Sequence, residues 1–324
     1  MRKFNKTFSY SSSDDSWVQD FLNKFTPDYV NNNPNLGFNN MCSPVNNYLI
    51  NPFSMQELTS AILSRKDSAF GLDGVPYIMF KKLSKKGLSI FLNILNDLWL
   101  NNDIPHSWKS DCLVPILKPD KLRSCPDSYR PIALTSCVGK IFEQLLKHRL
   151  EYYIEHNNLL PANQFGFHRG MSARESICQL QLDIQNSLND KGFLISVFFD
   201  VAGAFNSVNI NILCSELLSI QMPNKIVHWI HKFLTEREVY AKYNGKLYGP
   251  RLASVGVCQG GILSPLLFIL YICQLNLILG PHVKNLQFAD DLVVYAKLQM
   301  EKFWIIFHVF LISLWKICVI TSFI

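Results

Sequence analysis

Apolar and polar positions change their period along this chain, and each change marks an element. From Asn51 onward Leu58, Ala61 and Ile62 follow a helical period. Ser54, with Glu57 three residues later, has the reciprocal spacing of a capping box, so a helix is predicted to start there. After the turn Gly71-Leu72-Asp73-Gly74, apolar residues recur at helical spacing over 78–100. Residues 193–199 are rich in β-branched and aromatic side chains, which predicts a short buried strand; 206–218 return to helical spacing. Residues 239–243 and 246–248 flank Asn244-Gly245, a two-residue hairpin signal because both central positions need positive φ. Helices interleaved with strands and a hairpin imply α+β or α/β and exclude an all-α protein.

The two ends depart from this pattern. Residues 1–50 are rich in Asn and Ser, with Pro27, Pro34 and Pro44, and are expected to be a loop-rich lead-in. Residues 303–324 are nearly all apolar, with His308 and Lys316 inside. Taken literally this tail is a marginal membrane span, in which Lys316 would cost roughly 2.5–3.5 kcal/mol near the centre. The preferred expectation is a non-homologous end over 298–324.

Composition narrows the class. In 324 residues, 48% are hydrophobic and only 17% charged, which excludes a disordered, charge-built nucleic-acid arm. The net charge of +6 and pI of about 8.7 lean towards a polyanionic partner without identifying one. The nine cysteines form no C-x-x-C pair, so neither a zinc site nor a disulfide framework is indicated, and reduced thiols in a cytoplasmic or nuclear protein are expected. The N-terminus has no apolar stretch that could serve as a signal peptide. Residues 118–149 are the most basic stretch, with Lys118, Lys121, Arg123, Arg130, Lys140, Lys147 and Arg149 against Asp120, Asp127 and Glu143. Two readings stand there: a solvated helix face, or a grip on a phosphate backbone.

Three segments carry candidate chemistry. Asp200 closes the apolar run 194–199 and is followed by Ala202-Gly203-Ala204, which puts a carboxylate at a sheet edge; alone it could equally be a turn residue or helix cap. Asp290 and Asp291 stand side by side between strand-like segments with no Gly or Pro to make the turn. Adjacent carboxylates repel, and a divalent cation is the natural neutraliser; hard oxygen donors without His or Cys point to Mg²⁺ or Mn²⁺. Gln259-Gly260-Gly261 precede Ser264-Pro265, where Ser264 is the expected N-cap of a helix and the glycines leave backbone N–H groups open to a base or phosphate. Carboxylates from separate segments holding two metal ions are what phosphoryl transfer requires.

The order of F-F-D-V-x-x-A-F at 198–205, G-V-x-Q-G-x-x-L-S-P-x-L-F at 256–268 and F-A-D-D at 288–291 resembles reverse transcriptases of non-LTR (LINE-type) retrotransposons. Upstream, Ser128-Tyr129-Arg130-Pro131 with Gly139-Lys140-Ile141-Phe142-Glu143, and Asn163-Gln164-Phe165-Gly166-Phe167, resemble fingers motifs of the same family. The resemblance covers roughly Gly71 to Lys297.

It implies an α+β right-hand polymerase. Residues 51–110 would be a helical N-terminal extension of the fingers, residues 111–297 the fingers and palm, and the thumb is expected to be missing after Lys297. By the same resemblance Asp200, Asp290 and Asp291 are catalytic and hold two Mg²⁺ ions, with Mn²⁺ as an alternative. Phe205 matches the aromatic gate that excludes a ribose 2′-hydroxyl. Gln259 and Gly260 match the motif against the incoming nucleotide, and Arg130 the contact to template or triphosphate, helped by Lys118 and Lys121. The partners implied are an RNA template, a DNA primer and deoxynucleoside triphosphates. Two departures are visible: Gly203 stands where the family usually has a polar or basic residue, and Asn206 where Asp is common. The alternatives are an inactive remnant that binds RNA, and a membrane-associated protein if the tail is a genuine anchor.

Overall fold

In the computed structural model, which describes residues 17–27, 47–123, 125–201, 203–273, 275, 279–298 and 303–323, two separate sheets are held together by helices. In chain order the elements are α1 (Trp17–Phe25), α2 (Asn47–Ile50), α3 (Met55–Leu63), α4 (Tyr77–Lys81), α5 (Lys85–Leu100), β1 (Ser110–Leu117), β2 (Tyr129–Leu134), α6 (Cys137–His156) and α7 (Ala173–Asn189). There follow β3 (Phe193–Asp200), α8 (Ile210–Ser219), α9 (Asn224–Leu234), β4 (Arg237–Tyr243), β5 (Lys246–Ala253), α10 (Ser264–Ile272), β6 (Val283–Phe288), β7 (Asp291–Leu298) and α11 (Phe303–Phe323).

Local chemistry accounts for several boundaries. The Ser54 side chain accepts the Glu57 N–H while the Glu57 carboxylate accepts the Ser54 N–H, so α3 begins with both halves of the capping box. The periodic stretch over 78–100 is two helices rather than one, because Ser84 caps a fresh start by accepting the Gly87 N–H. Asn244 and Gly245 have φ of 48° and 78°, as the β4–β5 hairpin requires.

The first sheet has the order β2-β1-β4-β5, with β1 and β4 parallel and the other pairs antiparallel. The second has the order β3-β7-β6 and is antiparallel throughout. One face of this second sheet, bearing Leu292, Val294, Ala296 and Leu298, joins the main core with α3, α5, α6, α8, α9 and α10. Buried Arg149 fastens the first helices to α6, donating to both oxygens of the half-buried Glu57 carboxylate and to the carbonyls of Asn51 and Pro52.

Both ends differ from the sequence expectation. Within the expected loop-rich lead-in, Trp17, Val18, Phe21 and Leu22 make the buried face of α1, and Trp17 stacks on Tyr129 at 4.3 Å. The Asn- and Ser-rich flanks mask a short amphipathic pattern that only the first sheet completes. In the apolar tail, Ile306, Phe310, Ser313 and Ile317 form one buried stripe that packs on β6 and β7, while Trp304, Ile305, Trp315 and Lys316 stay exposed. Ser313 Oγ accepts the Gly280 N–H at 3.1 Å. Residue 324 and the side chains of 318–323 lie outside the described residues, among which no helix is long and apolar enough to cross a membrane.

Candidate active site

β3 and β7 run antiparallel in a register that sets Asp200 directly opposite Asp291. Residues opposed in this way project from the same face with Cβ atoms roughly 5 Å apart. Asp290 occupies the two-residue turn between β6 and β7, so all three carboxylates gather at one end of one sheet. Ala289, the first turn residue, has φ of 56°, a left-handed conformation uncommon for a residue with a Cβ. A cleft of about 410 Å³ opens beside them, lined by Asp200, Asp291, Phe198 and Phe288 from the sheet and by Ile177 and Leu180 from α7. Asp183 fastens α7 over the other end of this face, accepting from Lys284 at 2.8 Å and Tyr295 at 2.6 Å. Burial alone would raise the Asp183 carboxyl, but these bonds outweigh it and hold it below the usual range.

The turn rests on the segment 163–166. The Phe165 N–H donates to the Gln287 carbonyl at 2.8 Å, and the Gln287 N–H donates to the Asn163 carbonyl at 2.9 Å. The Gln164 side chain, fully buried, donates to Gln287 Oε1 at 3.1 Å.

Phe205 is half-buried, stacked on Phe268 at 4.8 Å and set edge-on to Phe167 at 6.5 Å. Its carbonyl accepts the Val257 N–H at 2.7 Å, which ties the segment after β3 to the glycine loop. Gly256, at φ of 82°, fits there because any Cβ would meet the Asn206 backbone at 2.7 Å. On its other side the loop meets the first sheet: the Ala133 N–H donates to the Gln259 carbonyl at 3.0 Å, and Gly260 lies against the Ala133 oxygen. Residues 256–260 thus bridge the segment that follows β3 and the strand that carries Arg130. Buried Arg237 supports the bridge, donating to the carbonyls of Val255 and Gly256 and to the Asp111 carboxylate at 3.1 Å.

Arg130 and Lys121 are exposed, on β2 and on the β1–β2 connection, in a different sheet from the carboxylates. Lys118 is engaged: its ammonium donates to the Asp127 carbonyl at 2.9 Å and closes that connection. Ser264 is not the cap of α10. Leu263 holds the cap position without a side-chain bond, and Glu143 from α6 takes the neighbouring N–H groups instead. Glu143, Arg237 and Gly166 are the contributors that reading the sequence did not single out as site residues. Beyond its place in the family-like run 139–143, the sequence signal for Glu143 was an acid set among Ile141, Phe142, Leu145 and Leu146, a position where an unpaired charge is costly.

No group of three or more His, Cys, Asp or Glu side chains among the described residues forms a ready-made metal cage. The donor chemistry nevertheless fits a hard divalent cation, because Mg²⁺ is usually held by one or two carboxylates completed by water and substrate phosphates.

A mixed α and β fold with three acids gathered at one sheet end defines a class, and comparison of the sequence agrees with it. Residues 116–317 match the family described as "Reverse transcriptase (RNA-dependent DNA polymerase)", and the chain belongs to that family. Its relatives place it among the non-LTR, LINE-type members. It is 31% identical to the "Probable RNA-directed DNA polymerase from transposon BS" of Drosophila melanogaster, over 70% of this chain and 25% of that protein. It is 27% identical to the corresponding protein of transposon X-element, over 78% of this chain and 28% of that one, and 26% identical to the polymerase of mobile element jockey, over 71% and 26%, both of the same fly. The chain thus spans about a quarter of the length of these relatives. The family match runs on past Lys297 and through much of α11, into the segment expected to be non-homologous.

Proposed function

We propose that this chain forms the palm and fingers of an RNA-directed DNA polymerase that adds deoxynucleotides to a primer 3′-hydroxyl on an RNA template. The observation that carries this reading is the register pairing of Asp200 with Asp291, with Asp290 in the adjoining turn. In it the sheet β3-β7-β6 is the palm, and the sheet β2-β1-β4-β5 with α3 to α6 contributes the fingers.

Asp200, Asp290 and Asp291 would hold two divalent cations, Mg²⁺ or Mn²⁺. When bound, these ions would neutralise the triphosphate and favour ionisation of the primer hydroxyl. The protein's own part is positional. The paired strands present the acids from one face, so that primer end and triphosphate meet in line beside the cleft. Phe205, braced between Phe167 and Phe268, presents a rigid aromatic wall that would exclude a 2′-hydroxyl. The glycine N–H groups expected to lie open are taken, Gly260 and Gly261 both donating to the Cys258 carbonyl, so Gln259 would meet the base pair being formed through its side-chain amide, with Gly260 allowing close approach. Exposed Arg130 and Lys121 would meet template or triphosphate phosphates by charge, with Lys118 holding their hairpin in shape.

The test is extension of a labelled DNA primer on an RNA template with Mg²⁺. Wild type extends, and Asp290→Ala abolishes extension while leaving salt-dependent RNA binding intact. A wild type as silent as the variant, with RNA binding retained in both, would instead establish a binding module that lacks polymerase activity.

A further inference from the structure

Under the glycine loop lies a carboxylate that the chemistry above does not use. Glu143 is 2% exposed on α6. Its Oε2 accepts the Ile262 N–H at 2.7 Å and the Leu263 N–H at 3.0 Å. A Cβ on Gly261 would come within 3.2 Å of that same oxygen, so the loop lies directly on the carboxylate. Because α10 has no side-chain cap of its own, one atom of a distant helix both terminates the loop and sets the start of α10. A negative charge at a helix N-terminus is favourable in kind.

The groups facing Glu143 are Lys140 on α6, Asp111 on β1, Cys258 in the loop and Tyr77 on α4, with Arg237 of β4 holding Asp111. Burial, helped by Asp111 and opposed by the two backbone bonds and Lys140, leaves the Glu143 carboxyl raised to about 7. A neutral residue would avoid the cost of burying that charge.

We propose that Glu143 is a positioning residue that holds the Gln259–Gly261 loop in the shape that receives the incoming nucleotide. It touches no substrate and acts only through the loop. The inference deepens the polymerase reading and rests on it for the role of Gln259 and Gly260. An ionised Glu143 makes two charge-assisted bonds and a protonated one makes weaker neutral bonds, so the loop is held more firmly as pH rises through about 7.

The experiment follows single-nucleotide extension by the full chain, wild type against Glu143→Gln, between about pH 6 and 8.5. At the alkaline end the variant should raise the KM for the nucleotide about tenfold with kcat changed less than about threefold, and near pH 6 the two proteins should converge. Superimposable KM profiles would overturn the proposal. Amide hydrogen exchange of peptides spanning 259–266, measured without substrate, reads the same tie independently of catalysis. About tenfold faster exchange in the variant at the alkaline end supports the proposal, and equal protection overturns it. If wild type extends no primer at all, the polymerase reading fails by itself, and the exchange comparison still decides whether Glu143 holds the loop.

Discussion

Gly166 and Ala289 approach so closely that a Cβ on Gly166 would lie 2.0 Å from the Ala289 nitrogen and 2.8 Å from the Phe288 carbonyl carbon. The turn that presents Asp290 is therefore seated on the backbone of a segment far upstream in sequence. That seat helps explain how a residue with a side chain, Ala289, is held at φ of 56°.

Gly166→Ala should consequently push the turn off its seat. The expected result is a stability loss of about 1–3 kcal/mol from overpacking, and a fall in primer extension of about a hundredfold or more. Denaturant unfolding and extension assays on one preparation separate the two effects. Wild-type activity in this variant would mean that the turn does not depend on the contact.

Asp200 and Asp291 put like charges opposite one another on neighbouring strands, which disfavours the fold. Asp200→Asn should raise the thermal midpoint slightly in the absence of divalent ions and abolish extension. Added Mg²⁺ should stabilise wild type and leave Asp200→Asn nearly unmoved. An equal Mg²⁺ response in both proteins would place the ion elsewhere.

Phe205 makes a further prediction about substrate choice. Replacement by Ala removes the wall braced on Phe268 and should let ribonucleotides be incorporated, narrowing the preference for deoxynucleotides by about tenfold or more. Competing extension reactions with the two nucleotide types measure the ratio directly. An unchanged ratio would return Phe205 to the role of an ordinary core side chain.

Stability should also depend on pH through Glu143. An unfolded chain releases this proton near the ordinary value of 4.5, whereas the native carboxyl keeps it until about 7. Between those values the native state binds more protons, so this group's contribution to stability falls as pH rises and the full cost, roughly 3 kcal/mol, is in place above about 7. Glu143→Gln should therefore gain stability relative to wild type across that window, with no further gain above it. Denaturant midpoints at about pH 5 and 8 test the sign. The combination of a more stable protein with a weaker nucleotide KM would show that the charge is retained for positioning.

Much of this molecule was legible from its sequence because the deciding interactions are local. The capping box of Ser54 and Glu57, the strand closed by Asp200 and the Asn244-Gly245 hairpin each follow from preferences within a few residues, although that strand, expected to be buried, leaves Phe193 and Phe198 exposed. The motif order also carried family membership. Local pattern misled where a partner was needed: α1 within the Asn-rich lead-in takes its buried face from the first sheet, and α11 takes its stripe from β6 and β7.

Tertiary structure alone decided which residues meet. Strand register is set by packing of whole sheet faces, so the opposition of Asp200 and Asp291 appears only once β3 and β7 pair. The same holds for the Glu143 bonds to backbone groups 119 and 120 residues away, and for the seat that Gly166 gives Ala289. A one-dimensional pattern records what each residue prefers nearby. Burial, close approach and charge compensation arise between segments that only the folded core brings into contact.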